Sequence, residues 1–109
     1  MKDIERTSPN SARVTRTYPL YPVQVVEALR RAINKLPRWT SESTDERGLR
    51  ATRASRLIRF KDDVTVRIES HENGSRVEFE SASRVGKSDL GQNPRNLKEL
   101  IAALNRELL

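Results

Sequence analysis

Residues 64–85 read VTVRIESHENGSRVEFESASRV, and no other stretch constrains the fold as tightly. Val64, Val66 and Ile68 alternate with polar residues, and Val77 and Phe79 repeat the pattern. A period of two places one set of side chains on one face of a strand. Between the two runs lies Asn73–Gly74, a hairpin signal because both residues tolerate positive φ. The stretch therefore predicts two adjacent antiparallel strands, each apolar on one face and polar on the other.

The flanks extend this pattern. Residues 49–60, LRATRASRLIRF, predict one long strand that enters the hairpin through a tight turn at Asp62–Asp63. Residues 38–44 read as a weaker edge strand, and DERG at 45–48 as the turn after it. Residues 12–18 alternate, with Val14 and Tyr18 on one face. Val26, Leu29, Ile33 and Leu36 recur at helical spacing, which predicts a helix over 22–36 with Pro22 at its first position and Pro37 as its stop. Leu97, Leu100, Ile101, Leu104 and Leu108 form the apolar stripe of a second helix, over 94–108. Asn93 is its expected N-cap and Pro94 its first residue. The order is β-α-β-β-β-β-α. Successive hairpins imply an antiparallel meander with both helices on one face, an α+β two-layer sandwich.

The chain has 109 residues, which fits one domain. Residues 1–11 read as a flexible N-terminal arm and 12–109 as the domain. The absence of cysteine excludes disulfides, thiolate catalysis and cysteine metal sites. The longest apolar run, Leu100–Leu104, is far too short to cross a bilayer. The start has no apolar signal-peptide core. As it stands the chain reads as cytoplasmic; a further N-terminal segment would make it membrane-associated or exported.

The net charge is +6, and 16 of the 21 basic residues are arginine. Arg47, Arg50, Arg53, Arg56 and Arg59 recur every third residue, and Arg67 follows on the next strand. A period of three alternates faces on a strand. A bulge near Arg53–Ala54 would reconcile Leu49 and Ala51 with Ile58 and Phe60. This hairpin is a basic patch that suits phosphates of nucleic acid or anionic lipid. The competing reading is a solvated outer face with Glu69, Glu78 and Glu80 as cross-strand partners. Phe60 and Phe79 both fall on inward positions, so base-stacking aromatics are scarce.

Nothing in the sequence assembles a catalytic or metal site. His71, the single histidine, sits beside a turn. Asp62 and Asp63 are adjacent, so their side chains diverge in an extended chain. Gly86-Lys87-Ser88 ends like a phosphate-binding P-loop, but Ser81 stands where the first glycine belongs. Pro94 would also break a helix begun at Lys87. No enzyme activity and no cofactor are implied.

Ser81 and Ser83 continue the inward face of Val77 and Phe79, and buried hydroxyls need partners. The expectation is a polar latch in which Ser81, Ser83, Arg84, Ser88, Asp89 and Asn93 tie the last strand to the last helix, with Arg84 paired to Asp89. The same residues are the alternative candidate binding site.

RFKDDVTVRI followed by SRVEFESASRVGKSDLGQN and an amphipathic helix resembles the domain of unknown function 1499 family. The second motif matches without a gap at Ser81, Ser83, Arg84, Gly86, Ser88, Asp89, Gly91 and Asn93. SPN at 8–10 resembles the family's N-terminal segment, but cysteines common around it are missing. Many members carry two or more arginines after the asparagine, whereas Pro94-Arg95-Asn96 supplies one. The resemblance implies a bacterial or plastid-type protein, in many members joined to a signal, lipoprotein or membrane segment, with no established activity. The expected fold also resembles helix-grip domains, which hold an apolar ligand or a partner protein between sheet and helix. The expected function is accordingly a non-enzymatic binding or protein-interaction module for an unknown protein or a small apolar ligand. The alternative is a basic module binding nucleic acid or anionic lipid through 47–67.

Overall fold

The structure, a computed structural model, describes residues 4–55, 60–84 and 89–108. Six strands and two helices follow one another as β1 (Glu5–Ser8), β2 (Ser11–Tyr18), α1 (Pro22–Lys35), β3 (Trp39–Asp45), β4 (Gly48–Ala54), β5 (Lys61–His71), β6 (Gly74–Ser83) and α2 (Gln92–Glu107). They build one antiparallel sheet of order β1-β2-β6-β5-β4-β3. Both helices pack on the same face, α2 over β2 and β6, and α1 against β3, β5 and β6. This is the two-layer α+β sandwich that the alternation implied, in a helix-grip-like arrangement.

Alternation decides which side chains meet the helices. Val64, Val66, Ile68, Val77 and Phe79 are all buried, facing Val25, Val26, Leu29 and Ile33 of α1 and Leu97, Leu100 and Leu104 of α2. Interiors pack at crystal-like density, and this one is filled by its own aliphatic side chains. Three surface depressions are walled by strand and turn residues and by none from α1 or α2.

Several local expectations change. Residues 5–8, assigned to the flexible arm, form β1 and pair with β2. Asp62 and Asp63 are not a turn; they lie inside β5, opposite Ser83 and Ala82. The strand expected over 49–60 ends at Ala54, and Phe60 is half exposed rather than inward. Ile58, Arg56 and Arg59 lie outside the described residues. No bulge interrupts β4 against β5; the register shift falls between Ser41 and Ser43 on the β3 side.

At the β5–β6 hairpin the positive φ falls on Glu72, at 53°. Gly74 is needed for a different reason: a Cβ there would lie 2.1 Å from the Tyr18 carbonyl oxygen. Helix α2 begins at Gln92 with Gly91 as N-cap, two residues earlier than expected, so Pro94 is its third residue. A first-turn proline still sacrifices no helical hydrogen bond.

Candidate functional site

The inward face of β5 and β6 turns polar at one end. Asp62 follows the parity of Val64 and Val66, and Ser81 and Ser83 follow that of Val77 and Phe79. Helix α2 lays Asn93 and Asn96 over them, one turn apart on the face that carries Leu97 and Leu100. Ser81, Asn93 and Asn96 are fully buried, and Asp62 is 7% exposed.

These groups spend their hydrogen-bonding capacity on one another. Ser81 Oγ donates to Asn93 Oδ1 at 2.6 Å and accepts from Asn96 Nδ2 at 3.1 Å. Asn96 Nδ2 also donates to Asp62 Oδ2 at 2.7 Å, and Ser83 Oγ donates to Asp62 Oδ1 at 3.0 Å. Gln92 Nε2 donates to Asn96 Oδ1 at 2.7 Å. The two hydrogens of Asn93 Nδ2 are shared among the Asn10 carbonyl, Ser83 Oγ and Asp89 Oδ2, at 2.6, 2.9 and 2.7 Å. Asp62 is therefore a buried carboxylate held by neutral donors, with no ion pair among the described residues.

Asp89 closes the network from the side of the helix. Its carboxylate accepts from the backbone amides of Gly91 and Asn93 at 2.8 and 3.2 Å, two donors that the start of α2 leaves without helical partners. Arg6 reaches it from β1 and donates to both oxygens at 2.9 Å. Burial pushes the Asp89 carboxyl up, but the Arg6 guanidinium and the Gly91 and Asn93 donors outweigh it and hold it below its ordinary 3.8. Backbone bonds complete the joint: Asp89 N to Pro9 O at 3.2 Å and Ser83 N to Asn10 O at 2.9 Å. Four parts of the chain meet here: β1 with its turn into β2, β5, the end of β6, and α2.

Of the candidate residues, Ser81, Ser83, Asp89 and Asn93 come together. Arg84 does not join them. It pairs instead with Asp63 on the sheet's exposed face, at 3.0 and 2.9 Å, and the expected partner role at Asp89 falls to Arg6. Ser88 lies outside the described residues. Sequence reasoning missed Asp62, Asn96 and Arg6. The first two carried a usable signal, since Asp62 shares the parity of Val64 and Asn96 the stripe of Leu100. Arg6 carried none.

Of the described arginines of the basic patch, Arg47, Arg50 and Arg67 line one shallow depression and Arg53 leaves it. Arg53 follows the inward parity of Leu49 and Ala51 and bonds Glu99 of α2 at 3.1 Å, where the Trp39 indole N–H also donates. Arg67 pairs with Glu78 at 2.7 Å, and Arg76 with Glu69. Arg47 and Arg50 are exposed. The outer face also carries a broad open depression of about 1080 Å³, lined by Thr15, Thr17, Arg47, Arg67, Arg76 and Glu78 among others.

His71 pairs with Gly74 at the far end of β6 from Ser81, about 20 Å away at strand rise. No serine–histidine pair forms there. Among the described residues no group of three or more His, Asp or Glu could hold a metal ion. Among the described residues no helix is long and apolar enough to cross a membrane.

A filled helix-grip-like sandwich, closed at one end by a buried serine–asparagine–aspartate network, is the class that this fold and site define. The chain belongs to the family described as "Protein of unknown function (DUF1499)", whose model matches residues 2–104. No curated protein matches its sequence. Among solved structures, it resembles protein Ms6760 from Mycobacterium smegmatis, with a TM-score of 0.68, 7% identity, and coverage of 97% of this chain and 93% of that one. Ara h 8.0201 aligns with a TM-score of 0.66 and 13% identity over 90% of this chain and 97% of that one. CalU16 from Micromonospora echinospora gives 0.65 and 14%, over 89% and 74%. At these identities the likeness is one of fold alone.

Proposed function

We propose that the protein is a non-enzymatic interaction module that recognises a protein partner on the helix-free face of its sheet. The observation that carries this reading is the filled interior. Phe79, Leu29, Leu97, Leu100 and Leu104 are fully buried between sheet and helices, in the space where a helix-grip protein would hold a ligand. Within the latch Ser81 has amide neighbours, and Ser83 meets a carboxylate, Asp62, that is buried beneath α2, which speaks against a reactive serine.

The outer depression offers charges of both signs in alternation. Arg67–Glu78 and Arg76–Glu69 already neutralise each other, which favours the mixed polar surface of a protein over a polyanion. The nucleic-acid alternative through residues 47–67 loses support for the same reason, and because Arg53 is turned toward α2.

Photo-crosslinkers placed at Thr17 and Glu78 on the outer face, and at Lys98 on α2, test the reading in cells. The expected result is one shared protein adduct from the two outer positions and none from Lys98. Equal adducts from Lys98 would overturn it. So would a stoichiometric small molecule in the native mass spectrum.

A further inference from the structure

The end of the sheet that carries the latch also carries two of the chain's exposed large apolar side chains. Leu90 is 84% exposed and Phe60 is 49% exposed. They lie at the same end, because Lys61 O accepts from Arg84 N at 3.3 Å, beside the Ser83–Asn10 and Asp89–Pro9 backbone bonds. Leu90 also has φ of 52°, a left-handed conformation that a leucine adopts at a cost and that asparagine or glycine would adopt more easily. A strained residue held in place by its surroundings points to a use for its side chain. Here the hold is Asp89 on one side and Gly91 on the other, both fixed by the latch.

Charge at this end is sorted by depth. The Asp89 side chain is covered while that of its partner Arg6 is 40% exposed, and Asp62 is buried. Lys61 and Arg95 are exposed, with no acidic partner among the described residues, and Arg84 reaches the surface beside them. Asp62 and Asp89 point in, and Asp63 faces out only in its pair with Arg84, so Lys61 and Arg95 leave the surface around the two apolar tips positive. Basic side chains that ring protruding apolar ones match an anionic bilayer: the cations meet headgroups and the tips enter the headgroup–acyl boundary.

We propose that this latch end, through Leu90 and Phe60 with Lys61 and Arg95, docks on anionic membrane surfaces. The surface is separate from the outer-face depression, so the vesicle result leaves the crosslinking reading standing or falling on its own. Two tips and a few charges give weak, peripheral binding, measurable by sedimentation with excess lipid.

The test uses phosphatidylcholine vesicles with about 30% phosphatidylglycerol, and the same vesicles without it. Wild type is expected to bind the anionic vesicles, and roughly fivefold or more weakly when the anionic lipid is removed or salt is raised. Leu90→Asn, which suits the left-handed backbone, should bind about tenfold more weakly while melting no lower than wild type. Arg50→Glu, on the arginine-rich hairpin, should bind as wild type does. Four results would overturn the proposal: no binding, equal binding to neutral vesicles, binding untouched by Leu90→Asn, or loss confined to Arg50→Glu. A concentration-dependent dimer abolished by Leu90→Asn would also overturn it, since a second copy would then cover the tip.

Discussion

Asp62 shows what a buried polar network demands of single residues. Its carboxylate lies on the core face, and its two oxygens are held by Asn96 and Ser83 rather than by a cation. Removing one partner of a buried charged group costs more than the bond itself is worth, because the remaining group is left desolvated. Asn96→Ala should therefore cost about 2–3 kcal/mol, read as a lower denaturation midpoint at unchanged m-value. Asn96→Asp gives a sharper result. It sets a second carboxyl against Asp62, so the introduced group is favoured in its protonated form and its own folded pKa rises. A raised acid pKa favours the folded state as pH falls. The variant should thus recover stability relative to wild type between pH 7 and pH ~4.5 in urea titrations. A gap that stays constant with pH would mean the two side chains do not meet. Gly74 sets a different demand. The 2.1 Å approach of Tyr18 O to the site of a Cβ means Gly74→Ala must push backbone apart, and a loss of about 2 kcal/mol or more is expected by the same titration.

At the scale of elements, the latch explains why a four-residue strand exists at all. Every residue of β1 is exposed, so burial does not hold it. Its pairing with β2 and the Arg6–Asp89 bond hold it. Arg6→Ala should speed amide exchange over residues 5–8 by more than tenfold and leave Val64–Ile68 unchanged. Asp89 also sets a pH dependence. Its pKa is lowered on folding, so its contribution is present above the ordinary 3.8 and is lost as pH falls through the lower folded value. Asp63, bonded to Arg84, and Glu107, bonded to Lys35 and Arg31, act in the same direction. Asp89→Asn should flatten the acid limb of the stability curve below pH ~4, measured by chemical denaturation. The same elements show what the sequence disclosed. Strands β5 and β6 and both helical stripes were legible, because each buries one face and its period records that. Strand β1 was not, since an all-exposed strand leaves no alternation. Asp62–Asp63 looked like a turn because two acids in a row are common there, while the parity that places Asp62 inward needed the true strand start.

Across the whole molecule, the latch and the core are one construction. The sheet meets α2 through aliphatic side chains along most of its length and through hydrogen-bonded polar ones at the end where the family motif lies. Ser81, Ser83, Asp89 and Asn93 were recognisable in the sequence as a group, but their partners were not. Arg6 lies 83 residues from Asp89, and no local pattern links them. Arg84, five residues away, was the natural candidate, and its outward parity sends it to Asp63 instead. The central claim is that the motif's polar residues act as a joint that fastens β1, β5, β6 and α2. The most direct test compares thermal melts of Asp89→Ala and Arg84→Ala. Asp89→Ala leaves buried amides and Arg6 without their acceptor, at a cost of about 3 kcal/mol and a melting temperature lower by about 10 °C. Arg84→Ala breaks only an exposed pair and should melt within about 2 °C of wild type. An Asp89→Ala protein that melts within a degree of wild type, or no lower than Arg84→Ala, would contradict the latch.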